Sequence, residues 1–144
     1  MGVKWFTAAA MLAAAVLYSS TIGAASAAQA QKTTRDRIYA KDQADRGAAL
    51  YVKHCERCHT PEKVPEGKKP GPPVSGEKFL ATWTDRTLGE LFDTIHNTMP
   101  SDGSAVLTVD QSLDSLAYIL KLNNFPEGAS PLKNDDATKA IVIK

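Results

Sequence analysis

The stretch Cys55-Glu56-Arg57-Cys58-His59 has the pattern C-x-x-C-H, in which two thiols are separated by two residues and an imidazole follows directly. Two thiols at this spacing can add to the two vinyl groups of one porphyrin. The histidine that follows can then bind the iron through a ring nitrogen. The pattern is the attachment motif of a c-type haem. It predicts one haem c, held covalently by Cys55 and Cys58, with His59 as an axial ligand.

Other interpretations of these two cysteines are weaker. A disulfide across C-x-x-C closes only a very short loop and would stabilise the fold little. A thioredoxin-like motif lies beside a βαβ pattern, and none is visible here. A zinc site would take His54, Cys55, Cys58 and His59 from six consecutive residues, whereas structural zinc usually binds two separated ligand pairs. Haem attachment uses both cysteines of the chain, and we favour it.

The first 30 residues have the features of an export signal. Lys4 is their only charged residue, and residues 5–17 are apolar or small. A run of this length is typical of a signal-peptide core and is short for a membrane span. Small residues around 25–30 offer cleavage sites. We therefore expect a signal peptide over residues 1–30 and a periplasmic protein, with membrane association only if the segment stays uncleaved.

Length and charge restrict the remaining possibilities. A chain of 144 residues suggests one domain, which we place at residues 31–128, followed by a C-terminal tail at 129–144. The 17 Lys and Arg residues fall to 16 when Lys4 leaves with the signal, which balances the 16 Asp and Glu residues. No basic patch indicates nucleic acid as a partner. The short apolar run 141–143 in the tail could pack against the body of the domain.

Hydrophobic periodicity predicts three main helices and no strand. The first spans about Tyr39 to Lys53 and has one face formed by Gly47, Leu50, Tyr51 and His54. A glycine inside a helix costs about 1 kcal/mol against alanine, so Gly47 indicates either the close approach of a second helix or a tolerated substitution. Capping boxes mark the starts of the other two helices, Thr87 with Glu90 and Thr108 with Gln111.

The segment between the first two helices is predicted to be a loop. Residues 60–76 contain five prolines and three glycines. A loop of this length in a compact domain needs a reason, and wrapping the edge of a large flat cofactor would provide one. Its three lysines either help to dock an acidic partner or are simply solvated.

Met99 is the predicted sixth ligand of the iron. The other methionines, Met1 and Met11, fall within the predicted signal. Met99 follows the second helix, where its thioether could turn towards the iron, and Pro100 ends that helix. His96 as the ligand, an open sixth site, and a plain core methionine are the alternatives. Trp83 could pack on the haem, bond a propionate, or belong to the ordinary core.

With these residues in place, the chain resembles the class I c-type cytochromes from about Tyr39 to Gly128. Gly47 and Tyr51 look like the family's N-terminal helix motif, which crosses the C-terminal helix near an aromatic residue, here Tyr118. Residues 71–74, Gly-Pro-Pro-Val, are similar to the family's Gly-Pro-x-Leu segment. The resemblance implies that the Pro72 carbonyl accepts a hydrogen bond from the second ring nitrogen of His59. The segment at 99–100 looks like the family's axial-methionine segment.

The chain departs from the family pattern at two positions. Val74 stands in place of the usual leucine, and Ser115 stands where an aliphatic residue is common at the helix crossing. A narrower resemblance, at residues 83–99, 118–126 and 131–132, is to cytochrome domains and subunits that serve periplasmic dehydrogenases, including quinoprotein alcohol dehydrogenases.

These observations predict an all-α, class I cytochrome c fold, with three main helices and a Pro/Gly-rich loop around one covalent haem. The predicted function is that of a soluble periplasmic monohaem cytochrome c, an electron carrier rather than an enzyme. Its redox partners would be a dehydrogenase, a terminal oxidase or reductase, or both kinds. The alternatives are an electron-accepting subunit of a periplasmic dehydrogenase and a haem protein with an open sixth site.

Overall fold

The computed structural model describes residues 1–2 and 30–144, and the fold of these residues is all-α, as predicted. The predicted signal peptide lies almost entirely outside the described residues. No named strand occurs within 30–144, where pairing is limited to isolated β-bridges. In chain order the helices are α1 (Lys41–His54), α2 (Glu56–His59), α3 (Glu77–Trp83), α4 (Leu88–Thr98), α5 (Val109–Leu122) and α6 (Asp136–Lys139).

Helices α1 and α5 cross at Gly47, which explains the glycine on a packing face. A Cβ added at Gly47 would lie 1.9 Å from the Asp114 carbonyl oxygen and 2.8 Å from the Tyr118 Cβ. The rings of Tyr51 and Tyr118 pack one turn further along, with centroids 5.4 Å apart. Arg46 adds a bidentate ion pair to the Asp114 carboxylate, at 2.9 and 2.8 Å. Of the two interpretations of Gly47, the structure supports the close approach of a second helix.

Helices α4 and α5 begin at the two predicted capping boxes. In each, the cap hydroxyl accepts a hydrogen bond from the backbone N–H three residues on, and the Glu90 or Gln111 side chain bonds the backbone N–H of the cap residue. These bonds satisfy donors that a helix start otherwise leaves free. The two helices then bury their apolar faces in the core at Leu88, Leu91, Phe92, Ile95, Leu113, Leu116 and Leu120.

The two ends of the segment 30–144 are hydrogen-bonded to each other beside the start of α4. Backbone bonds join Thr34 N–H to the Val142 carbonyl and Val142 N–H to the Lys32 carbonyl, both at 3.0 Å. Ile141 and Ile143 are buried, so the apolar run 141–143 packs against the body of the domain. Among the described residues, no helix is both long enough and apolar enough to cross a membrane.

The region between α2 and α4 contains one helix that the sequence did not predict. Residues 60–76 are irregular apart from a 3₁₀ turn at Pro61–Lys63, but α3 follows at Glu77–Trp83. Gly76 precedes α3 with φ of 80°, a conformation that glycine adopts at little cost. At seven residues, α3 is too short for a clear helical period, and burial of Phe79 anchors it.

Candidate functional site

A mainly apolar cavity of about 260 Å³ lies between the end of α1, α2, the proline-rich loop and helices α3 to α5. This is well above the volume of the voids that packed protein interiors leave. All six predicted site residues line this cavity: Cys55, Cys58, His59, Pro72, Trp83 and Met99. The tertiary structure therefore brings together side chains that are up to 44 positions apart in the sequence.

A single helical turn presents the attachment motif to the cavity. The Cys58 and His59 amides both bond the Cys55 carbonyl, at 3.0 Å. Because positions i, i+3 and i+4 share a helical face, the two thiols and the imidazole point to the same side. Both thiols are free and half-buried.

Burial raises the pKa of the Cys55 thiol to about 11, and the neighbouring Cys58 adds to the rise. A thiol with this pKa is almost wholly protonated at neutral pH. Redox-active C-x-x-C motifs work through a thiolate whose pKa is lowered. The raised pKa of Cys55 is therefore the opposite of what a thiol–disulfide exchange centre requires.

The His59 ring is oriented by the loop that follows it. Its Nδ1 lies 2.7 Å from the Pro72 carbonyl oxygen. A carbonyl can only accept, so Nδ1 carries a proton, and in the neutral imidazole Nε2 then keeps its lone pair for a metal. The Gly71 amide bonds the Cys58 carbonyl at 2.8 Å, and a Cβ at Gly71 would lie 3.0 Å from the His59 ring. Glycine thus allows the loop to lie against the imidazole.

Asn123, which sequence reasoning missed, ties this loop to the end of α5. Its side-chain nitrogen donates to the Val74 carbonyl at 2.9 Å, and its side-chain oxygen accepts from the Gly76 amide at 3.0 Å. The loop is therefore anchored after the His59 contact by Asn123, and before it by the bond from the Gly71 amide to the Cys58 carbonyl. The only sequence signal was a polar residue directly after the apolar stripe of α5.

Met99 and His96 have different surroundings. Met99 caps the C-terminus of α4 and lines the cavity, whereas His96 is not part of the lining. The His96 ring stacks on Phe92, with centroids 5.4 Å apart, and its Nδ1 lies 3.1 Å from Ser112 Oγ. Ser112 donates its one hydroxyl proton to the Thr108 carbonyl, so His96 Nδ1 must be the donor to Ser112. His96 is thereby held at the α4–α5 contact.

Trp83 and Ser115 complete two walls of the cavity. The half-buried Trp83 packs against Phe79, with centroids 6.3 Å apart, and the Arg86 guanidinium carbon lies 4.2 Å from the Trp83 ring centroid. Ser115 lies on the α5 wall, and its hydroxyl is buried without a hydrogen-bond partner among the described residues. An unpartnered buried hydroxyl costs about 1–3 kcal/mol.

The donor set fits haem c. Two thiols can form thioethers, an imidazole with a free Nε2 and a thioether are established haem-iron ligands, and the lining is mainly apolar. In the part of the chain that the structure describes, no group of three or more His, Cys, Asp and Glu side chains is arranged to hold a metal ion.

A family model described as cytochrome C oxidase, cbb3-type, subunit III, matches residues 42–119, more than half of the chain. The chain belongs to this family. The matched region is a c-type cytochrome domain and contains all six residues predicted for the site. Together with the C-x-x-C spacing, membership fits one covalently bound haem c and supports a role in electron transfer. Comparisons with curated proteins and with solved structures gave no match.

Proposed function

We propose that this protein is a soluble periplasmic monohaem cytochrome c that carries single electrons between redox proteins. The observation that carries the proposal is the shared cavity, whose lining includes both the C-x-x-C-H turn and Met99. In this proposal Cys55 and Cys58 attach the haem, and His59 and Met99 are the two axial ligands. The predicted export signal supports the periplasmic location, because covalent haem attachment and an export signal imply the same compartment.

The chain's own residues would bind, orient and insulate the cofactor. The Pro72 carbonyl accepts a hydrogen bond from His59 Nδ1–H, which would leave Nε2 to bind the haem iron. Met99 would fill the sixth position and leave no open site for a substrate. The apolar walls at Leu91, Ile95 and Ile119 would keep water from the faces of the haem. When bound, haem c supplies an iron that cycles between its ferrous and ferric states, with a potential that a methionine ligand raises and that burial tunes.

The test is the absorption spectrum of the reduced and oxidised protein, with the haem still bound after denaturation. Replacing both Cys55 and Cys58 by alanine should abolish covalent attachment. Met99→Ala should remove the methionine-to-iron charge-transfer band at the red end of the spectrum, whereas the control His96→Ala should retain it. The axial assignment fails if His96→Ala removes the band, and ready carbon monoxide binding by the wild type would favour an open site.

A second candidate is a cytochrome subunit held in a larger oxidoreductase complex, a dehydrogenase in particular. The family is named after an oxidase subunit, and the segments 83–99 and 118–126 resemble cytochromes that serve dehydrogenases. Copurification with a catalytic subunit from native cells, in equal amounts and through high salt, would support this candidate. Elution as a monomer would support the free carrier.

A further inference from the structure

An ion pair connects the haem-attachment turn to the segment that follows Met99. Arg57 lies between the two cysteines, and its Nη2 is 3.1 Å from Oδ2 of Asp102, three residues after Met99. Both side chains border the cavity. Within residues 30–144, no other hydrogen bond or ion pair directly joins residues 55–59 to residues 99–104.

The Asp102 carboxylate is set up to receive the arginine. Its Oδ1 accepts the Ser104 amide at 3.0 Å, and the Gly103 amide closes the turn on the Pro100 carbonyl at 3.1 Å. These two local bonds orient the carboxylate, so that Oδ2 is left for Arg57. The turn after Met99 therefore holds the Asp102 carboxylate in a position to accept the Arg57 guanidinium.

We propose that Arg57 and Asp102 form a latch that holds the Met99 segment against the attachment turn and so sets how readily Met99 leaves the iron. The proposal rests on Met99 being the sixth ligand. Arg57 and Asp102 are positioning residues, since neither would touch the iron. Their action follows from connectivity: the backbone of Met99 can move away from the cavity only together with the turn at 100–104, and the latch opposes that movement.

The strength of the latch follows from its exposure. The Arg57 and Asp102 side chains are 62% and 40% exposed, and ion pairs of this kind stabilise the closed form only modestly. Breaking the pair should therefore increase the opening equilibrium by about 1.4-fold to fivefold. Because salt screens exposed charges, the latch should weaken as ionic strength rises.

The experiment is a titration of the oxidised, haem-loaded protein with imidazole, which competes with Met99 for the iron. Loss of the methionine-to-iron band reports the exchange. Arg57→Gln and Asp102→Asn should each tighten the apparent imidazole affinity by about 1.4-fold to fivefold. The double variant should match the single ones, because one interaction is lost in every case. The asparagine retains an oxygen for the Ser104 amide, which keeps the turn intact.

Lys121→Gln is the matched control. Lys121 forms a 2.7 Å pair with Asp45 that is similarly exposed, joins α5 to α1 and lies outside the cavity lining. This variant loses the same charge as Arg57→Gln but should leave imidazole binding unchanged. High salt should bring the wild type towards the Arg57 variant.

The latch is overturned if Arg57→Gln and Asp102→Asn behave like the control, or if their effects add in the double variant. In either case the band of the starting protein still reports Met99 on the iron, so the proposed function would stand. A wild-type protein that binds haem covalently but never shows the band would overturn the latch and the axial assignment together.

Discussion

Replacing Gly47 by alanine is expected to force α1 and α5 apart where they cross. The added Cβ would lie 1.9 Å from the Asp114 carbonyl oxygen, which is 1.5 Å closer than the 3.4 Å at which ordinary contact begins. The Asp114 carbonyl carbon would be 2.6 Å away. Both atoms are backbone and cannot rotate aside, so a helix must move.

The expected cost can be worked out from this overlap. Overpacking costs about 1–3 kcal/mol, and a clash with backbone belongs at the upper end of that range. Alanine recovers about 1 kcal/mol of helix propensity. The net loss is then about 2 kcal/mol of unfolding free energy, which corresponds to a fall of roughly 10 °C in the melting temperature of a domain of this size.

Thermal unfolding of the haem-loaded protein, followed by far-UV circular dichroism, measures this loss. Gly89→Ala is the control, because it makes the same change within α4, where the nearest atoms, those of Lys139, lie 3.1 Å from the added Cβ. A shift of a few tenths of an ångström relieves that contact, so a smaller loss is expected. A Gly47→Ala protein that melts at or above the wild-type temperature would refute the close crossing.

Three further predictions concern single side chains. Hydrogen bonds from lysines lower the pKa of Asp45 to about 2 from an ordinary value of 3.8, so its stabilising effect is present above about pH 4 and is lost as the pH falls towards 2. Chemical unfolding at several pH values should show that Asp45→Asn has a lower free energy of unfolding than the wild type at pH 7. This difference in free energy should largely disappear by about pH 2, and a difference that is constant with pH would contradict the prediction. Asn123→Ala removes the acceptor of the Gly76 amide and should speed the hydrogen exchange of that amide. An unchanged exchange rate at Gly76 would mean that contacts other than those of Asn123 hold the loop. Ser115→Ala removes a hydroxyl without a partner and should raise the unfolding free energy or leave it unchanged, whereas Ser112→Ala breaks two hydrogen bonds and should lower it by about 1 kcal/mol. Equal losses in calorimetry would show that the Ser115 hydroxyl has a partner in the haem-loaded protein.

The helix starts were predictable because capping is local. Thr87 with Glu90 and Thr108 with Gln111 form their bonds across three residues, so the sequence window contains every participant. Helix α3 was not predictable in this way. It has seven residues, and its stability depends on burying Phe79 against elements that are distant in the chain.

The candidate site likewise contains local features that the sequence predicts and contacts between distant residues that it does not predict. The attachment motif occupies five consecutive residues and carries its chemistry in its spacing. By contrast, Asn123 meets Val74 and Gly76 from 49 and 47 positions away, and Arg57 meets Asp102 from 45 positions away. Polar residues such as these are common on protein surfaces. The neighbouring sequence therefore does not distinguish polar residues that join segments around the cavity from those that only face solvent.

The sequence by itself determined the attachment chemistry of Cys55, Cys58 and His59, the all-α class, and the starts of α4 and α5. The attachment motif and the helix starts depend on groups within four residues of one another, and the helical class depends on a periodicity that each segment shows by itself. Only the tertiary structure decided that Met99 lines the cavity while His96 lies at the α4–α5 contact, since the two residues are only three positions apart and their surroundings come from elements distant in the chain. It also decided that Gly47 marks a helix crossing, because a missing side chain becomes informative only when the atom that occupies its space is known.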